Sequence, residues 1–153
     1  MSYLDKPCYV RMRTSEIIPG KLFLGPMPKS MRDPPQGTTH ILCCMANASP
    51  PKDMHEHIVY KSVPALDEPG FPISQYFPET CAFLANAMAT AAVIFVHCQV
   101  AVSRSPIVVA SFLVLHHGIS SADAIRFLKV KRRCVKPNAG FVKQLVEWEM
   151  CCQ

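Results

Sequence analysis

A cysteine and an arginine six positions apart, with a serine next to the arginine, are the residues of this sequence best suited to chemistry. They are Cys98, Arg104 and Ser105 in the stretch HCQVAVSRS, residues 97–105. The stretch follows the apolar run AAVIFV, typical of a buried strand, and Ser105-Pro106 is typical of a helix start. Free backbone N–H groups and the helix dipole at such a junction favour both an anion and a thiolate. The spacing therefore predicts covalent phosphoryl transfer through Cys98.

A phosphate monoester in this loop would be bound by main-chain amides and by the arginine. The expected substrate-binding residues of the loop are Gln99, Val100, Ala101, Val102 and Ser103. The planar guanidinium of Arg104 can pair two phosphate oxygens at once. Cys98 would attack phosphorus in line, and Ser105 would hydrogen-bond the sulfur and help it leave in the second step. His97 is expected to hydrogen-bond the loop and set the electrostatics at Cys98, not to transfer a proton.

The reaction also needs an acid for the leaving oxygen, which then serves as the base for water. We assign this role to Asp67, in the loop PALDEPG that follows a predicted strand. Glu68 is the competing acid in the same loop. A turn-forming role, which the Pro-Gly context supports, is the alternative for Asp67.

The elements that must position these residues run from strands to helices along the chain. Strands are predicted at residues 21–25, 38–45, 57–63 and 92–96, and helices at 74–89, 105–117, 120 to about 133, and from 137 onward. Gly118 should end the second helix, and Ser120 should cap the third together with Asp123. This order predicts one α/β domain over residues 1–153, with a core of about 15–149 and the loop at the carboxyl end of a strand.

Composition and charge restrict the class of function. Half of the 153 residues are hydrophobic and only 18% are charged, which indicates a globular protein with a modest net charge of +5. Much of that charge lies in a basic segment, made up of Arg126, Lys129, Lys131, Arg132, Arg133 and Lys136. The segment is either a solvated helix face or a basic rim that attracts an acidic or phosphorylated substrate. With only Phe127 among these cations, nucleic-acid binding is not expected.

The cysteines and the apolar segments indicate neither a metal site nor a membrane span. The eight cysteines lack the paired spacing of a zinc site, so we expect no metal and no cofactor. Residues 1–15 carry charges and no apolar run, so no signal peptide is expected, and polar residues interrupt the apolar segment 81–102. These features predict a soluble, cytoplasmic protein, with the nucleus as a further compartment. Palmitoylation of Cys151 or Cys152 and the oligomeric state are left open.

Together these residues resemble the dual-specificity protein phosphatases, specifically the small atypical members of the cysteine-dependent protein tyrosine phosphatase superfamily. The likeness covers about residues 15–149: SEII with LFLG resembles the family's opening strand, YKSV through Asp67 the segment ending in the acid, and Pro137-Asn138 the start of the closing helix. It implies a central, mostly parallel sheet flanked by helices. It also implies metal-free hydrolysis of phosphotyrosine and phosphoserine or phosphothreonine, with Cys98 as nucleophile, Arg104 as phosphate binder, Asp67 as acid and Asn138 as a support for the loop.

The chain departs from the family at Val100-Ala101, where the family has Ala-Gly. An alanine with positive φ costs about 1 kcal/mol or more. One alternative is therefore a phosphoprotein-binding pseudophosphatase of low turnover, which the retention of Cys98, Arg104 and Asp67 disfavours. Another is a non-protein substrate, such as a phosphoinositide, a sugar phosphate or an RNA 5′ end, which the uncharged stretch 99–103 disfavours. The third alternative is a rhodanese-like sulfurtransferase, but neither the Asp67 segment nor the closing helix fits that kind of domain.

Overall fold

Five short strands form one sheet in this computed structural model, which describes residues 7–153. In chain order the elements are α1 (Pro7–Arg11), β1 (Ser15–Ile18), β2 (Leu22–Gly25), β3 (His40–Cys44), β4 (Val59–Val63), a 3-10 turn (Ile73–Tyr76), α2 (Phe77–Met88), β5 (Ile94–His97), α3 (Arg104–His117), α4 (Ser121–Lys131) and α5 (Ala139–Cys152). The predictions of a domain over 1–153 and of no signal peptide extend to residues 1–6, which lie outside the described residues.

The strand order is β1-β2-β5-β3-β4, and only β1 runs antiparallel to its neighbour. This mostly parallel sheet flanked by helices confirms the predicted fold class. The resemblance treated SEII and LFLG as one opening strand, which is wrong. They are two antiparallel strands joined by a turn at Gly20, whose φ of 70° suits glycine.

The central strand β5 carries the candidate loop. All four residues of β5 are buried, because β2 and β3 flank it and helices cover the sheet. Helix α3 is buried from Ser105 to Val114 and packs against α2, α4 and α5. The loop that joins β5 to α3 is therefore supported on all sides except at the carboxyl edge of the sheet.

The predicted helix ends are largely confirmed. Gly118 ends α3 with a φ of 67°, and the Ser120 hydroxyl accepts a hydrogen bond from the Asp123 N–H at 3.1 Å. Asn138 caps α5, since its Oδ1 accepts from the Phe141 N–H at 2.9 Å.

Other boundaries differ from the predictions by a few residues. The predicted helix at 74–89 is a 3-10 turn followed by α2, because Pro78 occupies the first turn of α2, where a missing N–H is tolerated. The predicted strands at 38–45 and 57–63 are shorter, at His40–Cys44 and Val59–Val63. Helix α1 was not predicted.

Candidate active site

Cys98 follows β5 directly, and the loop closes six residues later where α3 begins at Arg104. The Cys98 side chain is 2% exposed at the bottom of this signature loop, defined here as residues 98–104. The Ser105 hydroxyl, in the first turn of α3, donates a hydrogen bond to the Cys98 sulfur at 3.2 Å. The predicted pairing of cysteine and serine is therefore present, and Ser105 favours a sulfur that carries negative charge.

The main-chain carbonyls of the signature loop point outward from Cys98 to Ser103. Those of residues 98–103 accept hydrogen bonds of 2.7–3.1 Å. In loop order the donors are His97 Nδ1, the Met27 N–H, two nitrogens of Arg132, the Lys136 N–H and the Ile107 N–H. Because a trans peptide holds its C=O and the following N–H in opposite directions, the N–H groups of Gln99–Arg104 point into the loop.

These inward N–H groups form an anion-binding nest. Within the described chain, none of the N–H groups from Gln99 to Arg104 donates to a protein acceptor. Successive main-chain donors around a hollow of this kind, at a helix N-terminus, bind phosphate-sized anions. The structure therefore places the predicted substrate-binding amides around the Cys98 sulfur.

Arg132 holds the far side of the loop, and sequence reasoning missed it. Its side chain is 1% exposed, and its Nε and Nη2 groups donate to the carbonyls of Ala101 at 3.0 Å and Val100 at 2.8 Å. The remaining N–H groups donate to the carbonyls of Arg13 and Arg11 and to the Ser15 hydroxyl. Burial lowers the pKa of Arg132, although arginine stays protonated near neutral pH.

The basic segment at 126–136 is therefore not a single surface, as both interpretations had assumed. Arg126 pairs with Asp123 on the exposed side of α4, and Lys131 lies 5.7 Å from the centre of the Phe127 ring. Arg132, by contrast, is internal. No signal within the segment distinguishes Arg132 from its neighbours, because its side-chain partners lie 31 to 121 positions away in the sequence.

Arg104 connects the signature loop to the loop that carries the predicted acid. Its Nη1 group donates to the Ala65 carbonyl at 3.1 Å. Ala65 is buried at the start of the acid loop, defined here as residues 64–70. A guanidinium has five N–H donors, so this contact leaves others for phosphate oxygens.

Asn138 also links the two loops, on the other side of the site. Its Nδ2 donates to Asp67 Oδ1 at 3.0 Å, and its main-chain N–H donates to the Ser103 hydroxyl at 2.9 Å. Both Asp67 and Glu68 are exposed, but Glu68 makes no side-chain hydrogen bond or ion pair with another described residue. The structure thus brings Asp67, and not Glu68, to the residue that supports the signature loop.

The rest of the acid loop rests on α5. A Cβ atom added to Gly140 would lie 1.9 Å from the Pro69 carbonyl oxygen, so only glycine permits this approach. Farther along, Gln144 Nε2 donates to the Phe71 carbonyl and Gln144 Oε1 accepts from the Ser74 N–H, both at 2.9 Å. Sequence reasoning assigned no role to Gly140 or Gln144, since glycine within a helix gives no signal of what packs against it.

Two buried groups near Cys98 stay neutral. His97 is 2% exposed and its Nδ1 lies 3.1 Å from the Cys98 carbonyl; burial lowers the pKa of His97. Burial, followed by the influence of Cys98 and Cys43, raises the pKa of Cys44 well above its ordinary value. A neutral His97 can donate to the loop carbonyl, in keeping with the predicted supporting role.

The departure at Val100-Ala101 lies at a strained point of the loop. Ala101 has a φ of 53° and is fully buried. In this left-handed region an L-residue with a Cβ atom is less stable than glycine by about 1 kcal/mol. The two hydrogen bonds from Arg132 to the adjoining carbonyls hold the residue there.

Neither a metal centre nor a membrane span stands out in the part of the chain that the structure describes. Among the side chains that the structure describes, no three His, Cys, Asp or Glu residues group as metal ligands. The described helices are all too short or too polar to cross a bilayer.

Comparisons with known proteins agree with this geometry. The family described as "Dual specificity phosphatase, catalytic domain" matches residues 22–151. The human serine/threonine/tyrosine-interacting protein is 31% identical over 92% of this chain, and "Dual specificity protein phosphatase 1" of Arabidopsis thaliana is 35% identical over 75% of it. The chain spans 66% and 57% of the length of these two relatives.

Among solved structures, the crystal structure of the human tyrosine phosphatase-like serine/threonine/tyrosine-interacting protein superposes with a TM-score of 0.82 at 32% identity. The match covers 92% of this chain and 97% of that one.

Proposed function

The chain belongs to the dual-specificity phosphatases, and from that premise we propose that it hydrolyses phosphotyrosine and phosphoserine or phosphothreonine in proteins. The observation that carries the proposal is the nest of inward N–H groups around the sulfur of Cys98. Phosphoryl transfer requires mainly positioning and stabilisation of charge on the three equatorial oxygens, which fixed amides and Arg104 supply.

In the first step, the Cys98 thiolate attacks phosphorus and an S–P bond forms. The bond between phosphorus and the substrate oxygen breaks in line, and that oxygen takes the proton of the Asp67 carboxyl group. The contact from Asn138 orients Asp67, because Asn138 is itself fixed to the signature loop through Ser103.

In the second step, Asp67 acts as the base. Its carboxylate takes a proton from water, the water oxygen bonds to phosphorus and the S–P bond breaks, releasing inorganic phosphate. The sulfur leaves as a thiolate, which the Ser105 hydroxyl stabilises through its hydrogen bond. The cysteinyl phosphate is thus formed and consumed without any metal or cofactor.

The pseudophosphatase alternative is not favoured. A chain that only bound phosphate would need the inward N–H groups and Arg104, but not a thiol with a serine hydroxyl on it. It would also not need an acid held by Asn138. The presence of all these contacts supports turnover, and the strain at Ala101 bears on its rate.

We also propose a cytoplasmic location, with the nucleus as a further compartment. The nucleophile must be a reduced thiol, and the seven cysteines from Cys43 to Cys152 are all free. This supports a reducing compartment.

The decisive experiment measures hydrolysis of two aryl phosphates, 4-nitrophenyl phosphate and phenyl phosphate. Cys98→Ser should abolish both activities. Wild-type turnover no higher than that of Cys98→Ser would refute the proposed phosphatase activity. Asp67→Asn should lower kcat by about 100-fold or more for phenyl phosphate, whose leaving group needs a proton, and by less for 4-nitrophenyl phosphate.

The neighbouring Glu68→Gln is the matched control for that variant and should leave both rates nearly unchanged. Reversed results for the two variants would assign the acid to Glu68.

A further inference from the structure

The outer side of helix α4 combines exposed apolar and basic side chains. Its buried residues, Ser121, Ala124 and Leu128, share one side of the helix, which packs against the domain. Val130 lies on the opposite side and is 76% exposed, more than any other large apolar residue of helices α2–α5. We define the α4 face as five exposed residues: Arg126, Phe127, Lys129, Val130 and Lys131.

The α4 face carries more positive charge than its neighbours neutralise. Within the described chain, the one ion pair of α4 joins Asp123 to Arg126, and Lys129 and Lys131 form none. The ammonium group of Lys131 instead lies 5.7 Å from the centre of the Phe127 ring. Cations gathered without a counter-charge repel one another, and an anionic partner relieves that repulsion.

A hollow of about 370 Å³ extends the α4 face toward β1. Val130 and Lys131 line it from α4, and Val10 and Arg13 line it from the segment before β1. Glu16 is the one carboxylate among the described residues of the lining, and its Oε2 already accepts a main-chain hydrogen bond at 3.2 Å. Apolar and basic character therefore continue beyond the helix.

The α4 face is fixed relative to the signature loop. Arg132 follows α4 directly, and its guanidinium donates to the Arg13 carbonyl on one side and to the Val100 carbonyl on the other. A partner bound to the α4 face would therefore be held at a set distance from Cys98.

The composition of the α4 face suits an anionic lipid surface better than a protein or a nucleic acid. Lysines around an exposed apolar side chain are typical of helices that lie on membranes, because the cations pair with headgroups and the apolar groups enter the acyl boundary. Protein interfaces, by contrast, are depleted in lysine. A single-stranded nucleic acid is usually held by stacking on several aromatic rings, and Phe127 is the one aromatic residue of the face.

We propose that the α4 face binds the anionic surface of a membrane, with Val130 inserted at headgroup level and Lys129 and Lys131 paired with acidic lipids. This goes beyond the proposed function, because it places the phosphatase at a membrane without a helix that spans it. The cytoplasmic leaflet is the anionic one, which agrees with the compartment proposed above.

The test is sedimentation of the protein with phosphatidylcholine vesicles that contain or lack phosphatidylserine. We expect wild type to bind only the anionic vesicles, and less as salt is raised. Because each cation near such a surface strengthens binding about fivefold, Lys129→Gln/Lys131→Gln should weaken it about 25-fold. The matched double variant Lys52→Gln/Lys143→Gln removes the same charge from other exposed sites and should bind as wild type does.

Insertion of the residue at position 130 has a readout of its own. In Val130→Trp, we expect tryptophan emission to move to shorter wavelength when anionic vesicles are added, because indole prefers the membrane interface. Val146→Trp, at an exposed site on α5, is the control and should show no such change. Trp148, the one native tryptophan, gives the same background in both variants.

None of these measurements depends on turnover, so a failure of the phosphatase activity and a failure of the membrane contact are distinguishable. The membrane proposal is overturned if wild type does not bind anionic vesicles at low salt, or if both double variants bind them equally. Displacement of the vesicles by inorganic phosphate at constant ionic strength would place the contact at the signature loop and not at α4. Binding of an acidic polypeptide or an oligonucleotide, lost in Lys129→Gln/Lys131→Gln, without any binding of vesicles would assign the α4 face to that partner instead.

Discussion

The signature loop and the acid loop meet at one site but are held in opposite ways. The residues of the signature loop are buried or half-buried except for Gln99, and the carbonyls of residues 98–103 are all hydrogen-bonded to donors outside the loop. The acid loop is exposed apart from Ala65, and its acid is held by one side-chain hydrogen bond from Asn138.

The difference follows from what each loop must do. Donors that stabilise transition-state charge are most effective when they are already in place and need not reorganise. A group that gives a proton in one step and takes one in the next must exchange with solvent, and exposed loops with few contacts move most readily. Asn138, which caps helix α5, contacts both loops and so connects the fixed signature loop to the more mobile acid loop.

Breaking the rigid loop should have the largest effect. Arg132→Met removes the donors to Val100 and Ala101 and leaves the buried Ala101 carbonyl and the half-buried Val100 carbonyl unsatisfied, at about 1–3 kcal/mol for a fully buried group. We expect stability to fall by at least about 3 kcal/mol in urea titrations and kcat/KM for 4-nitrophenyl phosphate to fall about 100-fold. The affinity for inorganic phosphate as a competitive inhibitor should weaken as well.

The control for Arg132→Met is Lys129→Met, which removes an exposed cation from α4 and should change neither quantity. A folded Arg132→Met protein with wild-type phosphate affinity would show that the nest does not depend on this support.

Displacing the acid loop should have a smaller effect that is confined to proton transfer. In Gly140→Ala, the new methyl group meets the Pro69 carbonyl oxygen at 1.9 Å unless the acid loop moves away. We expect kcat for phenyl phosphate to fall about tenfold, because the acid is misplaced but not removed. Inhibition by inorganic phosphate should not change, and Lys143→Ala on the same helix should behave as wild type. Equal losses of rate and of phosphate affinity would contradict the separation of the two loops.

Relieving strain within the rigid loop should raise activity modestly. Ala101→Gly permits the φ of 53° without its cost of about 1 kcal/mol, which we expect to appear as a two- to fivefold gain in kcat/KM. Ala122→Gly, in the first turn of α4, is the control and should lose stability without any gain in rate. An Ala101→Gly variant no faster than wild type would show that strain at this position does not limit turnover.

The smallest effect is a pH dependence of stability. Burial lowers the pKa of His97 in the folded protein. As the pH falls below about 6.5, the unfolded chain therefore binds more protons than the folded protein does. Stability is therefore complete above that pH and decreases as pH falls toward the lowered pKa. His97→Asn should flatten this part of the stability curve, measured by urea titration between pH 7 and 5.

Burial also lowers the pKa of His40, so His40→Gln measures the contribution of that residue to the same curve. If His97→Asn left the dependence of stability on pH unchanged, the assignment of that dependence to His97 would be contradicted.

The sequence predicts what depends on neighbours along the chain. Cys98 and Ser105 are seven residues apart, and their contact follows from the strand, loop and helix between them. The cap at Ser120 is equally local. Asp67 is predicted from its place in the loop that follows a predicted strand, and the resemblance to the family supports that choice.

What could not be predicted depends on distant contacts. Arg132 reaches the carbonyls of Arg11 and Arg13 across 121 and 119 positions. The surface groove beside Val100 is lined by three separate segments of the chain, within 11–14, 26–33 and at 100. Position 140 requires glycine because the Pro69 carbonyl lies against it, and Pro69 precedes Gly140 by about half the length of the domain. Periodicity and spacing describe one segment at a time, so they contain no information on such pairings.

The outward carbonyls of the signature loop bear on how the site could be transplanted. A graft of the nine residues 97–105 into another strand-loop-helix unit would carry the nucleophile but not the donors that shape the loop. Met27, Arg132 and Lys136 belong to three other segments, and each supplies hydrogen bonds that no residue of the graft can replace. A designed phosphate receptor based on this loop must therefore copy those donors first, and the loop sequence itself is then the part most open to change.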